Sequence, residues 1–97
     1  MNGVTVSTHV LHLGTGRPAA GLRVRLEPGG LTGETDADGR LHFDTELEPG
    51  TYTLRFELAG ASELYRSVAL EVRLEEARHY HLPLLVSAFG VSTYRGT

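Results

Sequence analysis

Apolar and polar residues alternate with a period of two along most of this chain. Leu22, Val24 and Leu26 alternate with Arg23, Arg25 and Glu27. Tyr52, Leu54, Phe56 and Leu58 alternate with Thr51, Thr53, Arg55 and Glu57, and Val68, Leu70, Val72 and Leu74 alternate with Ala69, Glu71, Arg73 and Glu75. Each run predicts a half-buried strand with its apolar set on one face. Val4 to Leu13, rich in Val and Thr, predicts a fourth strand. His79 to Val86 predicts a fifth and Arg40 to Phe43 a short sixth. Turn residues separate them: Gly14-Thr15-Gly16 with Pro18, Pro28-Gly29-Gly30, Asp36-Ala37-Asp38-Gly39 and Pro49-Gly50. The only place for a helix is Ala59 to Tyr65, barely two turns long. Short strands with turn signals between them predict an all-β, antiparallel sandwich or barrel.

Composition narrows this reading. The chain has 97 residues, which predicts a single domain over 1–97. At this size only about 60–65% of the unfolded surface is buried, so the core is modest and partner subunits would help it. Hydrophobic residues make up 40% and charged residues 22%, which argues against disorder. The net charge is -3, from 9 basic and 12 acidic residues, and no basic run occurs. Nucleic acid is therefore not an expected partner. No cysteine is present, which excludes disulfides and thiolate metal sites. No apolar run approaches a membrane span. The start lacks a basic segment followed by a long apolar one, so a cytoplasmic protein is expected.

Strand faces organise the candidate chemistry. Ser7, His9 and Leu11 share one face of the first strand, while Val6, Thr8, Val10 and His12 share the other. His79, His81 and Pro83 lie opposite Tyr80, Leu82 and Leu84. Pro83 has no N–H to donate and belongs at an edge or bulge. His79 and His81, two apart on a strand, could chelate, but His9 and His12 fall on opposite faces; no metal site is expected.

Several blocks together resemble the 5-hydroxyisourate hydrolases, the enzymatic branch of the transthyretin family. They are Val6-Ser7-Thr8-His9-Val10-Leu11, Thr15-Gly16-Arg17-Pro18-Ala19-Ala20-Gly21, Thr35-Asp36-Ala37-Asp38-Gly39-Arg40, His79-Tyr80-His81-Leu82-Pro83-Leu84-Leu85 and Tyr94-Arg95-Gly96-Thr97. The resemblance runs nearly end to end, and the closing block is its most specific part. It implies a transthyretin-like β-sandwich of two antiparallel sheets with Greek-key connections and at most one short helix. It also implies cofactor-independent hydrolysis of 5-hydroxyisourate, a step of urate degradation, by a homotetramer built as a dimer of dimers. The family's catalytic positions fall on His9, Arg40, His81 and Thr97. Arg40, Arg95 and Tyr94 are the expected substrate contacts, although Arg95 equally suits pinning the tail and Tyr94 an interface.

The chemistry suits those groups. Opening a cyclic amide with water needs a base, a stabilised oxyanion and a proton for the leaving nitrogen. Histidine serves as base or acid near neutral pH. Arginine offers a permanent charge and a fork of donors for carbonyls and a developing oxyanion. The chain departs from the family in four respects. His12 stands where an acidic or amide residue is usual, and Thr97 where serine is. The segments 27–35 and 58–68 are clipped. Taken singly, a strand histidine, an arginine after Asp-Gly and a terminal threonine are ordinarily structural or solvated. The functional reading rests on their joint occurrence. A transthyretin-type carrier of a small hydrophobic ligand and a structural β-sandwich module are the rival readings.

Overall fold

The computed structural model describes residues 2–96. Among the described residues ten strands follow one another: β1 (Val4–His12), β2 (Arg17–Pro18), β3 (Arg23–Glu27), β4 (Leu31–Glu34), β5 (Arg40–Leu47), β6 (Gly50–Glu57), β7 (Ser67–Leu74), β8 (His79–His81), β9 (Leu84–Val86) and β10 (Val91–Thr93). They form two sheets. In one, β1 is the hub: β10-β9-β1-β2 lie side by side, and β5 and β8 also pair with β1. The other runs β4-β3-β6-β7.

The alternation decides how the sheets meet. Val4, Val6 and Val10 of β1 are fully buried, as are Val24 and Leu26 of β3 and Leu54 and Phe56 of β6. Leu22, Phe43, Tyr52, Leu58, Leu74, Tyr80, Leu82, Leu84 and Val86 complete one apolar core between the sheets. Burying a Val, Leu or Phe side chain contributes about 1.5–3 kcal/mol, so these inward rows hold the sandwich together. The intervening residues of β3 and β6 face water as expected. Strand β7 is less well covered. Its inward residues Val68, Leu70 and Val72 are only half buried, because β7 is an edge strand with no further strand paired beyond it among the described residues.

The all-β sandwich expected from the pattern is what forms. Its details differ in ways that have local causes. Strands β8 and β9 run parallel to β1 rather than antiparallel. The single strand expected over His79 to Val86 is broken at Leu82-Pro83. Pro83 donates no hydrogen bond to the ladder, and the Leu82 carbonyl before it accepts instead from the Thr8 hydroxyl at 2.7 Å. Strand β5 continues to Leu47, past the Phe43 limit, through an irregular register against β1 between Val4 and Val6. Strands β2, β4 and β10 carry too few alternating apolar residues to be seen in the pattern; β4 is made by a hairpin with β3 that pairs Leu26 with Leu31. No helix forms among the described residues. In Ala59 to Tyr65, the N–H groups of Glu63 and Leu64 donate to the Ala88 carbonyl at 3.0 Å each, which replaces the ladder of a helix too short to sustain itself.

Candidate active site

The turn between β4 and β5 is the first structural device of the site. Thr35 is buried and ties two segments together: its hydroxyl accepts from Leu22 N at 2.9 Å and donates to the Ala19 carbonyl at 2.7 Å. Asp36 accepts the N–H groups of Asp38 and Arg40, both at 2.9 Å. Those donors, that of Arg40 foremost, hold its carboxyl below the usual range against an opposing desolvation. Gly39 closes the turn with φ +76° and an N–H to the Asp36 carbonyl at 2.9 Å. A Cβ there would stand 2.5 Å from the Val10 carbonyl oxygen, so no other residue fits without displacement. The turn delivers Arg40 to the start of β5, where it lies across from His9 of β1.

His9 is anchored by the same turn. Its Nε2 lies 2.8 Å from the Asp38 carbonyl oxygen. A carbonyl only accepts, so Nε2 carries a proton and Nδ1 holds the lone pair when the ring is neutral. Two residues back along β1, Ser7 points to the same outer face. Its hydroxyl lies 2.8 Å from His79 Nε2 and 2.8 Å from His81 Nδ1, both on β8. Thr5, a further two residues back, bonds His79 Nδ1 at 2.7 Å. His42, two residues after Arg40, stacks on His79 with ring centres 5.1 Å apart and planes 8° from parallel. Its Nδ1 donates to Asp44 at 3.2 Å.

The outcome is a pocket of about 350 Å3 on the outer face of β1, β5 and β8, lined among others by Ser7, His9, Arg40, His42 and His81. That volume suits a small heterocycle. Desolvation, then the charges of His9 and Arg40, push the His81 imidazole below its ordinary value of 6.5. Desolvation, then His42 and His81, do the same to His79. Both rings are therefore neutral and able to accept a proton at neutral pH. Among the described residues, no three His, Asp or Glu side chains converge as metal ligands.

Gly96 lies against the His81 edge of this face. Gly96 N donates to the His81 carbonyl at 2.7 Å, an isolated antiparallel bridge. A Cβ on Gly96 would stand 2.6 Å from His81 Cδ2, so glycine lets the tail backbone lie against the imidazole.

Of the residues expected at the site, His9, Arg40 and His81 are brought together from three strands. Thr97 lies outside the described residues. Tyr94 and Arg95 are exposed and line a different depression, with Leu70, Val72 and Leu82, along the β7 edge. Ser7, His42 and Asp36 were not among the expected site residues. His42 shares the outer face with Arg40 by period two, which is the signal that would have found it. Ser7 and Asp36 had none beyond the blocks they sit in, since their roles depend on partners distant in the chain.

Known proteins share the sequence pattern and the fold. The model of the HIUase/Transthyretin family matches residues 6–96. The chain is 38% identical to a 5-hydroxyisourate hydrolase of Mesorhizobium japonicum over 120 residues, covering 99% of this chain and 94% of that protein. Its fold superposes on the structure of Klebsiella pneumoniae 5-hydroxyisourate hydrolase with a TM-score of 0.86 and 34% identity, covering 97% and 99% of the two chains. A sea bream transthyretin in complex with thyroxine shares the fold, with a TM-score of 0.79 at 22% identity over 95% of this chain and 94% of the other. With a sandwich of this form, and the family's model matched along almost its whole length, the chain belongs to the HIUase/Transthyretin family.

Proposed function

We propose that this chain hydrolyses 5-hydroxyisourate without a cofactor, opening its cyclic amide to give 2-oxo-4-hydroxy-4-carboxy-5-ureidoimidazoline. The observation that carries the proposal is the convergence of His9, Arg40 and His81 on one pocket in a chain similar throughout to hydrolases of that substrate. A neutral imidazole accepts a proton from water as the water oxygen bonds to the ring carbonyl carbon. Arg40 lies across from His9 and supplies the charge that the tetrahedral oxyanion needs. The C–N bond then breaks, and an imidazole returns a proton to the leaving nitrogen. Thr97 completes the set by orienting the water or one imidazole.

The reading extends to a cytoplasmic homotetramer, a dimer of dimers. The open edge of β7 and its half-buried Val68, Leu70 and Val72 support association through that edge. Tyr94 and Arg95 beside it suit a contact with a second copy, and the exposed histidine face suits a site shared between copies. Sedimentation of a monomer at micromolar concentration would count against this assembly.

Activity is tested by generating 5-hydroxyisourate from urate with urate oxidase and following its ultraviolet decay with and without the chain. Accelerated decay supports the hydrolase. Unchanged decay would leave the rival, a small-ligand carrier on the same fold.

A further inference from the structure

Ser7 stands between two imidazoles, and its hydroxyl has a single proton to give. It lies 2.8 Å from His79 Nε2 and 2.8 Å from His81 Nδ1, with no third hydrogen-bond partner for the hydroxyl among the described residues. To satisfy both rings, it donates to one and accepts an N–H from the other. Because it meets the ε nitrogen of one ring and the δ nitrogen of the other, only two arrangements are consistent. In the first, Ser7 donates to His81 Nδ1 and accepts from His79 Nε2–H; both rings are then protonated on Nε2. In the second, Ser7 donates to His79 Nε2 and accepts from His81 Nδ1–H; both rings are then protonated on Nδ1. Thr5 extends the chain by one bond: its hydroxyl donates to His79 Nδ1 in the first arrangement and accepts from it in the second, at 2.7 Å. That outermost bond is exposed to solvent.

We propose that Thr5, His79 and Ser7 form a proton relay that locks the tautomers of His79 and His81 together and lets His81 alternate between base and acid. The proposal rests on the hydrolase reading for the reaction that it serves. In the second arrangement, His81 Nε2, which has no partner among the described residues, presents a lone pair to whatever occupies the pocket. When it takes a proton from the attacking water, its Nδ1 proton passes to Ser7, the Ser7 proton to His79 Nε2, and the His79 Nδ1 proton to Thr5, whose own hydroxyl proton leaves to solvent. One proton has entered and one has left. The rings are now in the first arrangement, and His81 Nε2–H is a donor. Returning that proton to the leaving nitrogen runs the relay backwards, with one proton drawn from solvent at Thr5. Ser7, His79 and Thr5 touch no substrate in this scheme and act as positioning residues.

The surroundings favour neutral rings, which the relay requires. His42 lies stacked on the His79 face, 5.1 Å away, so its ring leaves the His79 edge nitrogens to Thr5 and Ser7. Desolvation, and then His9 and Arg40, oppose a positive charge on the His81 ring.

Nitrogen-15 spectra of the imidazole rings read tautomers directly and need no turnover. In the wild-type chain above the titration range, His79 and His81 are expected to show the same Nδ1–H to Nε2–H ratio, and Ser7→Ala is expected to make the ratios differ. In the ultraviolet assay, Ser7→Ala is expected to lower kcat by about tenfold to a hundredfold with little change in KM, and Ser7→Thr to recover most of the loss. Thr5→Val, nearly isosteric, should also lower kcat, and it stands in if Ser7→Ala does not fold. A wild-type pair with His79 on Nε2–H and His81 on Nδ1–H, both donating to Ser7, would overturn the relay. So would Ser7→Ala or Thr5→Val at wild-type kcat. A wild-type chain that leaves 5-hydroxyisourate decay unchanged overturns the hydrolase reading instead, and the spectra still decide whether the tautomers are locked.

Discussion

The two outer faces of this sandwich are built by the same alternation and differ in what their residues do for one another. On the β3-β6-β7 sheet the outward residues include Arg25, Arg55, Glu57, Glu71 and Arg73. Arg25 even lies directly opposite Arg55. Among the described residues their one ion pair, Arg25 with Glu27 at 3.5 Å, is half exposed at both ends. On the β1-β5-β8 face, Thr5, Ser7, His79 and His81 are knit by hydrogen bonds between strands more than seventy positions apart in the chain, His42 stacks on His79, and His9 is held by the Asp38 carbonyl of the turn that delivers Arg40. One face is solvated and its charges interact weakly. The other is a connected network whose charge states depend on one another. Polarity on a strand face is thus no guide to chemistry; cross-strand register is.

Substitutions on the two faces sharpen the contrast. His9→Ala or His81→Ala is expected to lower kcat/KM for 5-hydroxyisourate by about a hundredfold or more. Arg55→Ala, on the opposite face, should change it by less than about twofold. Equal losses at both faces in the decay assay would erase the distinction.

The turn that delivers Arg40 is the next most sensitive point. Gly39→Ala puts a Cβ within 2.5 Å of the Val10 carbonyl at φ +76°. It should cost about 2 kcal/mol or more of stability, read from the urea midpoint. Gly96→Ala acts on the site more than on the fold. Its Cβ would displace the His81 ring or the tail, and about a tenfold fall in kcat is expected with the urea midpoint little changed.

Protonation separates the faces as well. The pKa values of His79 and His81 lie below their unfolded value of 6.5, chiefly through desolvation. The unfolded chain therefore takes up protons first as pH falls. These two rings leave stability intact above 6.5 and erode it between 6.5 and their folded values, below which they add no further slope. Turnover should fall over the same acid range, as His81 gains its proton. His42→Ala removes a neighbouring positive charge and should move the His79 titration upward, as followed by NMR. The smallest effect belongs to the solvated face: Arg25→Ala should change stability by less than about 0.5 kcal/mol.

Much of the molecule is legible in its sequence. Strand alternation locates β1, β3, β6 and β7 closely, while β5 is cut short because past Phe43 its residues face water with no apolar rhythm. The inward rows follow from the same rhythm. The resemblance singles out His9, Arg40 and His81. The break at Pro83, the parallel pairing of β8 and β9 and the hairpin strand β4 are not legible, because each depends on a neighbour rather than on its own residues. The placement of Tyr94 and Arg95 along β7, apart from the histidines, is not legible either.

Amino-acid order alone dictates which side chains can be buried and which can carry chemistry, because a strand's faces follow from a period of two. It took the folded arrangement to make Ser7 bridge two imidazoles, to stack His42 on His79 and to press Gly96 against His81. Those contacts come from the register between strands, which is set by packing across the whole core and is encoded in no single segment.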